Sequence, residues 1–166
     1  MSLDFIFARR SIRVYTGEPV TDEELRGLLK AGMAAPSSRN LQPWHFVAIR
    51  DSETLRALAI AHEHGAMLNG AAAAICVCGD TTTALDFWIQ DCSAATENIL
   101  IAAAALGLGA VWLGCHPREE RVAAIRAILG IPPHIGILSL ISIGRPGETK
   151  EPRTQYDETR IHHGKW

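Results

Sequence analysis

Ile99-Leu100-Ile101-Ala102-Ala103-Ala104-Ala105-Leu106-Gly107-Leu108-Gly109-Ala110-Val111-Trp112-Leu113-Gly114-Cys115 contains no charged side chain, and how this run divides decides the fold. It falls short of the ~20 residues a membrane-spanning helix needs. Gly107 and Gly109 break it. The reading is therefore the buried end of a helix, Phe87 to Leu106, stopped by Gly107, followed by a buried strand from Gly109 to Gly114. The second half of that helix is apolar all round, which predicts a central, buried element. The two glycines follow a helix and precede a strand. A dinucleotide-binding fingerprint has the opposite order, so a Rossmann site is excluded.

Working outward, residues 3–9 form a short helix that delivers Arg9 and Arg10. Thr21-Asp22-Glu23-Glu24 is a capping box. The helix it opens turns Leu25, Leu28, Leu29 and Met33 inward and ends before Pro36. His45 to Ile49 is a strand. Ser52 caps a helix with Leu55, Leu58 and Ala59 inward, ending near Gly65. Ala72 to Cys78 is a continuous apolar strand buried on both faces. Arg118 to Leu129 is a helix stopped by Gly130, and Ile135 to Ile143 is the last core strand. From Gly144 the chain turns polar and proline-rich, and Tyr156, Ile161 and Trp166 punctuate its end. Those anchors favour a tail laid across another surface over a frayed one.

A chain of 166 residues with 48% hydrophobic content is sized for one domain, 1–166. Its net charge of −2 provides no broad basic field, so neither nucleic acid nor a membrane is expected as a partner. Met1-Ser2-Leu3-Asp4 lacks a basic leader region, so no signal peptide is expected. Cys76, Cys78, Cys92 and Cys115 read as buried free thiols in a reducing cytoplasm. Among the seven histidines no spacing forms a metal motif; His62 and His64, placed on a helix, do not face each other. No metal and no protein nucleophile is expected.

Two polar clusters remain. Arg9-Arg10-Ser11-Ile12-Arg13 packs cations and a hydroxyl into five residues, which suits a phosphate. Lys150 and Arg153 are positioned in the tail to complete such a cage. Read alone, these arginines are equally ordinary solvated charges. Pro36-Ser37-Ser38-Arg39-Asn40-Leu41-Gln42-Pro43-Trp44 supplies amides and hydroxyls that match the edge of a polar heterocycle. It is also an adequate plain helix-to-strand turn.

In order and spacing, these two segments, the Leu106-Gly107-Leu108-Gly109 strand entry, the Leu129-Gly130-Ile131-Pro132 turn and the Ile143-Gly144-Arg145-Pro146 exit resemble the nitroreductase family. These are FMN-dependent NAD(P)H oxidoreductases. The resemblance spans nearly the whole chain. It implies an α+β fold, a mostly antiparallel central sheet around a buried helix with other helices on both faces. It also implies a homodimer in which the 145–166 tail is exchanged. FMN is the implied cofactor. Arg9, Arg10, Ser11 and Arg13, with Lys150 and Arg153, would hold its phosphate. Pro36, Ser37, Ser38, Asn40 and Gln42 would meet the flavin of the other subunit, and the backbone of Trp112, Leu113 and Gly114 would lie beside the ring. The implied reaction is ping-pong. NADH or NADPH reduces flavin N5, and a nitroaromatic, quinone or similar small aromatic acceptor is reduced in turn. The flavin carries the chemistry, so no catalytic side chain is assigned. The rival readings are another flavin reaction on the same scaffold, such as dehalogenation or flavin breakdown, and a non-enzymatic FMN-binding module. The chain is short and has no evident inserted lid.

Overall fold

The computed structural model describes residues 3–166; Met1 and Ser2, which entered the leader reading, lie outside that range. In chain order the elements are α1 (Asp4–Ala8), α2 (Asp22–Met33), β1 (Trp44–Ile49), α3 (Ser52–Ala61), β2 (Ala73–Asp80), α4 (Trp88–Ala105), β3 (Gly109–Gly114), α5 (Glu119–Leu129) and β4 (Ile135–Gly144). The uncharged run divides as its glycines dictate. α4 ends at Ala105, Gly107 turns the chain at φ +70°, and β3 begins at Gly109.

The four strands form one sheet in the order β1-β2-β4-β3, and every pairing is antiparallel. β2 and β4 are central. Ile75 and Val77 of β2 pack with Leu25 and Leu28 of α2 and with Ile99 of α4. Ala74, Cys76 and Cys78 face the other way, toward Leu55 and Leu58 of α3 and Ile125 of α5. The result is three layers, with α2 and α4 on one face and α3 and α5 on the other. Burial of both faces explains why β2 reads as an unbroken apolar run rather than an alternating one.

Trp88, at the start of α4, lies over the sheet where two glycines are direct cross-strand partners, Gly79 and Gly136. A Cβ on Gly136 would meet the Trp88 ring at 2.7 Å, and one on Gly79 would meet it at 2.9 Å. The pairing slips between Val77 and Cys78. As a consequence Leu138 packs against the α4 layer while the next residue, Ser139, also turns to α4, its Oγ 3.2 Å from Thr96 Oγ1. A bulge is what lets two successive strand residues face one helix.

Five local expectations need correction. Met33 is 55% exposed rather than inward, because Gly32 takes the inward place. A Cβ there would touch Ile99 and Phe46 at 3.0–3.1 Å. α3 is capped by Asp51, whose carboxylate accepts the Thr54 N–H at 2.8 Å, and not by Ser52. That helix ends at Ala61, so His62 and His64 are not helical residues. β2 continues to Asp80. Finally, the outer side of α4 is apolar yet incompletely covered: Ile101, Ala102 and Ala104 are half-buried and Ala105 is exposed.

Gly136→Ala should destabilise the protein by about 1–3 kcal/mol, because the tryptophan cannot move without opening the α4 contact. Gly70→Ala is the control: a Cβ there meets nothing within 4 Å, so a change below about 0.5 kcal/mol is expected. Urea denaturation checks both, and equal midpoints for the two variants would refute the packing argument.

Candidate functional site

After α1 the chain becomes an arm laid along the outer edge of β3. Ser11 bridges Ala110 in parallel, and the Ile12 N–H donates to Ala110 O at 3.0 Å. Ile12 is buried against Gly109, where any Cβ would approach its Cγ2 to 2.6 Å. Tyr15 fastens the other end of the arm. Its ring covers Gly144, and its hydroxyl lies 3.0 Å from both Ile12 O and Ser142 Oγ. Burial pushes the phenol up to about 12. The arm therefore hangs on buried side chains that alternate with its cations.

The cations divide into engaged and free. Arg9 pairs with Glu97 of α4 at 3.3 Å. Burial raises the Glu97 carboxyl above its ordinary range, with Arg9 opposing the shift. The Arg10 guanidinium donates to Glu151 O. Lys150 Nζ donates to Ser11 O at 2.6 Å and pairs with Glu148 at 3.2 Å. The Glu148 carboxylate accepts the Arg13 and Val14 N–H groups at 2.6 and 3.3 Å. The Arg13 N–H first, then Lys150 and lastly the Val14 N–H, hold it below the usual carboxylate range against the opposing effect of burial. The Arg13 and Arg153 side chains are exposed and take no hydrogen bond or ion pair among the described residues. Beside the arm, Arg10, Ile12, Leu100, Ala104, Leu108 and Lys150 line a cleft of about 210 Å³. Two cationic side chains, Arg10 and Lys150, and an apolar wall thus meet in one place.

The second cluster is built around backbone strain. Arg39, Asn40 and Gln42 all have positive φ, between 50° and 55°, a conformation that costs non-glycine residues of order 1 kcal/mol or more. Ser37 Oγ accepts the Gln42 N–H at 3.0 Å, and Gln42 Nε2 donates to Asn40 Oδ1 at 3.1 Å. The Ser38 N–H donates to Asp91 Oδ1, in the first turn of α4, at 3.0 Å. Asp91 is buried, and its Oδ2 has no hydrogen-bond partner among the described residues. Pro36 is exposed and Ser37 and Ser38 are half-buried.

The arm and this loop do not converge. The loop is tied to Asp91, whereas the cleft is walled by Leu100 and Ala104. At 1.5 Å per residue those positions lie roughly 14–20 Å apart along α4.

β3 supplies the third part. Main-chain groups alternate across an antiparallel strand. Ala110 O takes the arm's Ile12 N–H, and Gly114 O takes donors from outside the sheet, His62 Nε2 at 3.0 Å and Arg121 at 2.6 Å. Trp112, midway between, therefore directs its N–H and C=O to the same open edge. Leu113 differs from its two neighbours: it pairs inward with Leu140 of β4, and its side chain is buried. Within Trp112-Leu113-Gly114, the open main-chain groups are the N–H and C=O of Trp112 and the N–H of Gly114.

The structure adds His62, Arg121, Asp91, Tyr15 and Glu148 to the residues singled out from the sequence. Asp91 carried a readable signal. It stands with Ala95 and Ile99 at core-facing spacing, where a carboxylate is out of place. His62 and Arg121 carried none, since their shared partner is a backbone carbonyl, 52 residues from His62 and reached by Arg121 only across the turn between β3 and α5. No helix among the described residues is long and apolar enough to cross a membrane.

The sequence model of the Nitroreductase family matches residues 6–77 and 61–145. A protein of Archaeoglobus fulgidus, whose name couples NADH dehydrogenase with NAD(P)H nitroreductase, is 49% identical; the match covers 99% of this chain and 98% of that one. An FMN-dependent nitroreductase from Clostridium difficile superposes with a TM-score of 0.94 at 32% identity, covering 99% of this chain and 100% of the other. The NADPH:FMN oxidoreductase of Vibrio harveyi, solved with NAD+, gives a TM-score of 0.86 at 28% identity, covering 99% and 77%.

Burial holds the His62 imidazole below its ordinary value, so the folded chain takes up this proton at lower pH than the unfolded one. The unfolded chain takes up the proton near pH 6.5. Its contribution to stability is then complete above about pH 6.5 and is lost as pH falls below that toward the folded-state value. Denaturation midpoints at pH 7.5 and 5.5 should differ more for wild type than for His62→Gln. Equal slopes would refute the assignment.

Proposed function

The chain belongs to the nitroreductase family, and on that premise we propose that it is an FMN-dependent oxidoreductase. In this reading it moves electrons from NADH or NADPH to a nitroaromatic, quinone or similar small aromatic acceptor. The observation that carries the proposal is the open edge of β3. It has an arm bearing a cation cluster at Ala110, and the Trp112 main chain and the Gly114 N–H face the same edge without a partner among the described residues. A ligand with a phosphate at one end and a flat heterocycle at the other matches that order. The distance from Ala110 to Gly114 is about 13 Å at strand rise.

The residues suit FMN. Arg13 offers an uncommitted guanidinium for its phosphate, with Ser11 beside it, and Arg153 offers another from the tail. Arg9, Arg10 and Lys150, already held by the chain's own acceptors, set the shape and positive potential of the cradle. The apolar cleft wall of Ile12, Leu100 and Leu108 excludes water from the organic part of the ligand. Bound FMN would accept a hydride at N5 and release electrons to the second substrate in a ping-pong cycle. The protein's part is to bind, orient and keep the site dry.

The separation of arm and loop along α4 supports a homodimer with shared sites. One chain cannot bring Ser38 and Asn40 to the ligand held by its own arm, whereas a second copy packed on the apolar outer side of α4 could supply them. Tyr156, Ile161 and Trp166 are exposed in the single chain, which favours a tail that crosses to the partner. Four free buried thiols favour a cytoplasmic setting.

Arg13→Ala should weaken FMN binding roughly ten- to hundred-fold, the loss of one charge-assisted pair. Flavin fluorescence titration measures it, and an unchanged affinity would discard the phosphate assignment. A second test mixes chains. Asn40→Gly removes the amide but tolerates φ +55°. Verified heterodimers of Asn40→Gly with Arg13→Ala should regain one intact site and about half of wild-type flavin binding. No recovery would count against a site built from two chains. Anaerobic reduction of the bound flavin by NADH or NADPH separates an enzyme from a binding module.

A further inference from the structure

We propose that His62 and Arg121 are positioning residues that fix the open edge of β3, Trp112 to Gly114, in register with the flavin ring. The inference rests on the functional reading above and assigns roles to two residues outside the arm and loop.

Both side chains converge on one carbonyl from opposite elements. His62 follows the last residue of α3 and is 2% exposed. Its Nδ1 accepts the His64 N–H at 3.1 Å. That leaves Nε2 carrying the proton, which it donates to Gly114 O at 3.0 Å. Arg121, in the first turns of α5, donates to the same oxygen at 2.6 Å. Its guanidinium is steadied in turn by Glu63, 3.4 Å away, and its side chain is only 16% exposed. A carbonyl oxygen has two lone pairs, and here both are committed, one of them to a cation.

The location gives this arrangement its meaning. The outer edge of β3 is held at two points, Ile12 on Ala110 and the His62–Arg121 pair on Gly114. Between them the main chain of Trp112 is open, and the Gly114 N–H shares that edge. Fixing the Gly114 carbonyl fixes the Gly114–Cys115 peptide plane, so that only the φ and ψ of Gly114 lie between this anchored plane and the direction of the Gly114 N–H. A glycine would otherwise leave that direction loose. An amide that must meet one ring atom at hydrogen-bond distance tolerates little drift. A Cβ on Gly114 would meet nothing within 4 Å, so no side-chain packing adds to the strand pairing there, and the two donors do.

The test uses the full-length holoprotein and its FMN-free form. The variants are His62→Leu and Arg121→Met, with His62→Gln and Arg121→Lys as conservative partners that also keep the test open if the apolar changes prevent folding. In the FMN-free protein the Cys115 amide, which donates to Leu138 O at 2.9 Å, should exchange about tenfold faster in the apolar variants, while exchange in β2 is unchanged. With FMN bound, the visible flavin spectrum should shift and anaerobic reduction by NADH or NADPH should slow about tenfold. FMN affinity should stay within about threefold, because the phosphate grip is elsewhere. Arg121→Lys should restore part of the rate. Unchanged Cys115 exchange overturns the proposal. So does faster exchange with an unaltered flavin spectrum and reduction rate, which would leave only a structural cap. A wild-type protein that binds no FMN overturns the functional reading itself, and Arg13→Ala titration distinguishes that failure from this one.

Discussion

Burial of both faces of β2 and β4 is the constraint on which everything else depends. Once the two central strands are apolar on each side, helices must cover both surfaces, and the polar groups that do chemistry are driven outward. They can occupy only the sheet edges and the turns between layers. The Gly79–Gly136 pair shows how tightly this is drawn: the sheet loses two side chains so that Trp88 can lie flat upon it. With the interior filled, the outer edge of β3 is where unpaired main chain lies open to a ligand.

The electrostatics follow the same logic at closer range. The arm carries three arginines, yet the fold spends Arg9 on Glu97 and Arg10 on a backbone carbonyl. Lys150 is divided between Glu148 and Ser11. Of the arm's arginines, Arg13 is the one without a side-chain partner among the described residues. A residue that binds an anion must reach it without first giving up a partner, so the uncommitted guanidinium matters more than the count of cations. The loop at Ser37–Gln42 repeats the pattern. Its left-handed residues are held by internal amide contacts and by Asp91, which leaves its outward groups free.

Much of this was legible in the sequence. Periodicity and glycine placement gave all five helices and four strands, because a change of hydrophobic period is local information. The arginine arm and the Pro-Ser-Ser loop were visible as clusters, though each also read as ordinary surface or ordinary turn until the family resemblance weighed in. What stayed hidden depended on distance in sequence. Nothing near His62 says that it will meet Gly114, 52 residues on. Nothing near Met33 says that Gly32 will be the residue pressed against Ile99, since a glycine has no hydrophobic signature. The cap of α3 was misread by one residue because Asp51 and Ser52 are both good caps, and only the Thr54 contact decides between them.

The four thiols have a consequence for durability. Cys92 and Cys115 are pushed up to about 12 by burial. Cys76 is raised well above its ordinary value by the Cys78 thiol 3.6 Å away, with burial adding to the effect. At neutral pH a thiol titrating near 12 is ionised to only about one part in 10⁵, and peroxide and electrophiles attack the ionised form. Reduced flavins meeting oxygen are a source of peroxide. Cys76, Cys92 and Cys115, kept protonated and buried, would withstand that by-product over many turnovers without a dedicated scavenger.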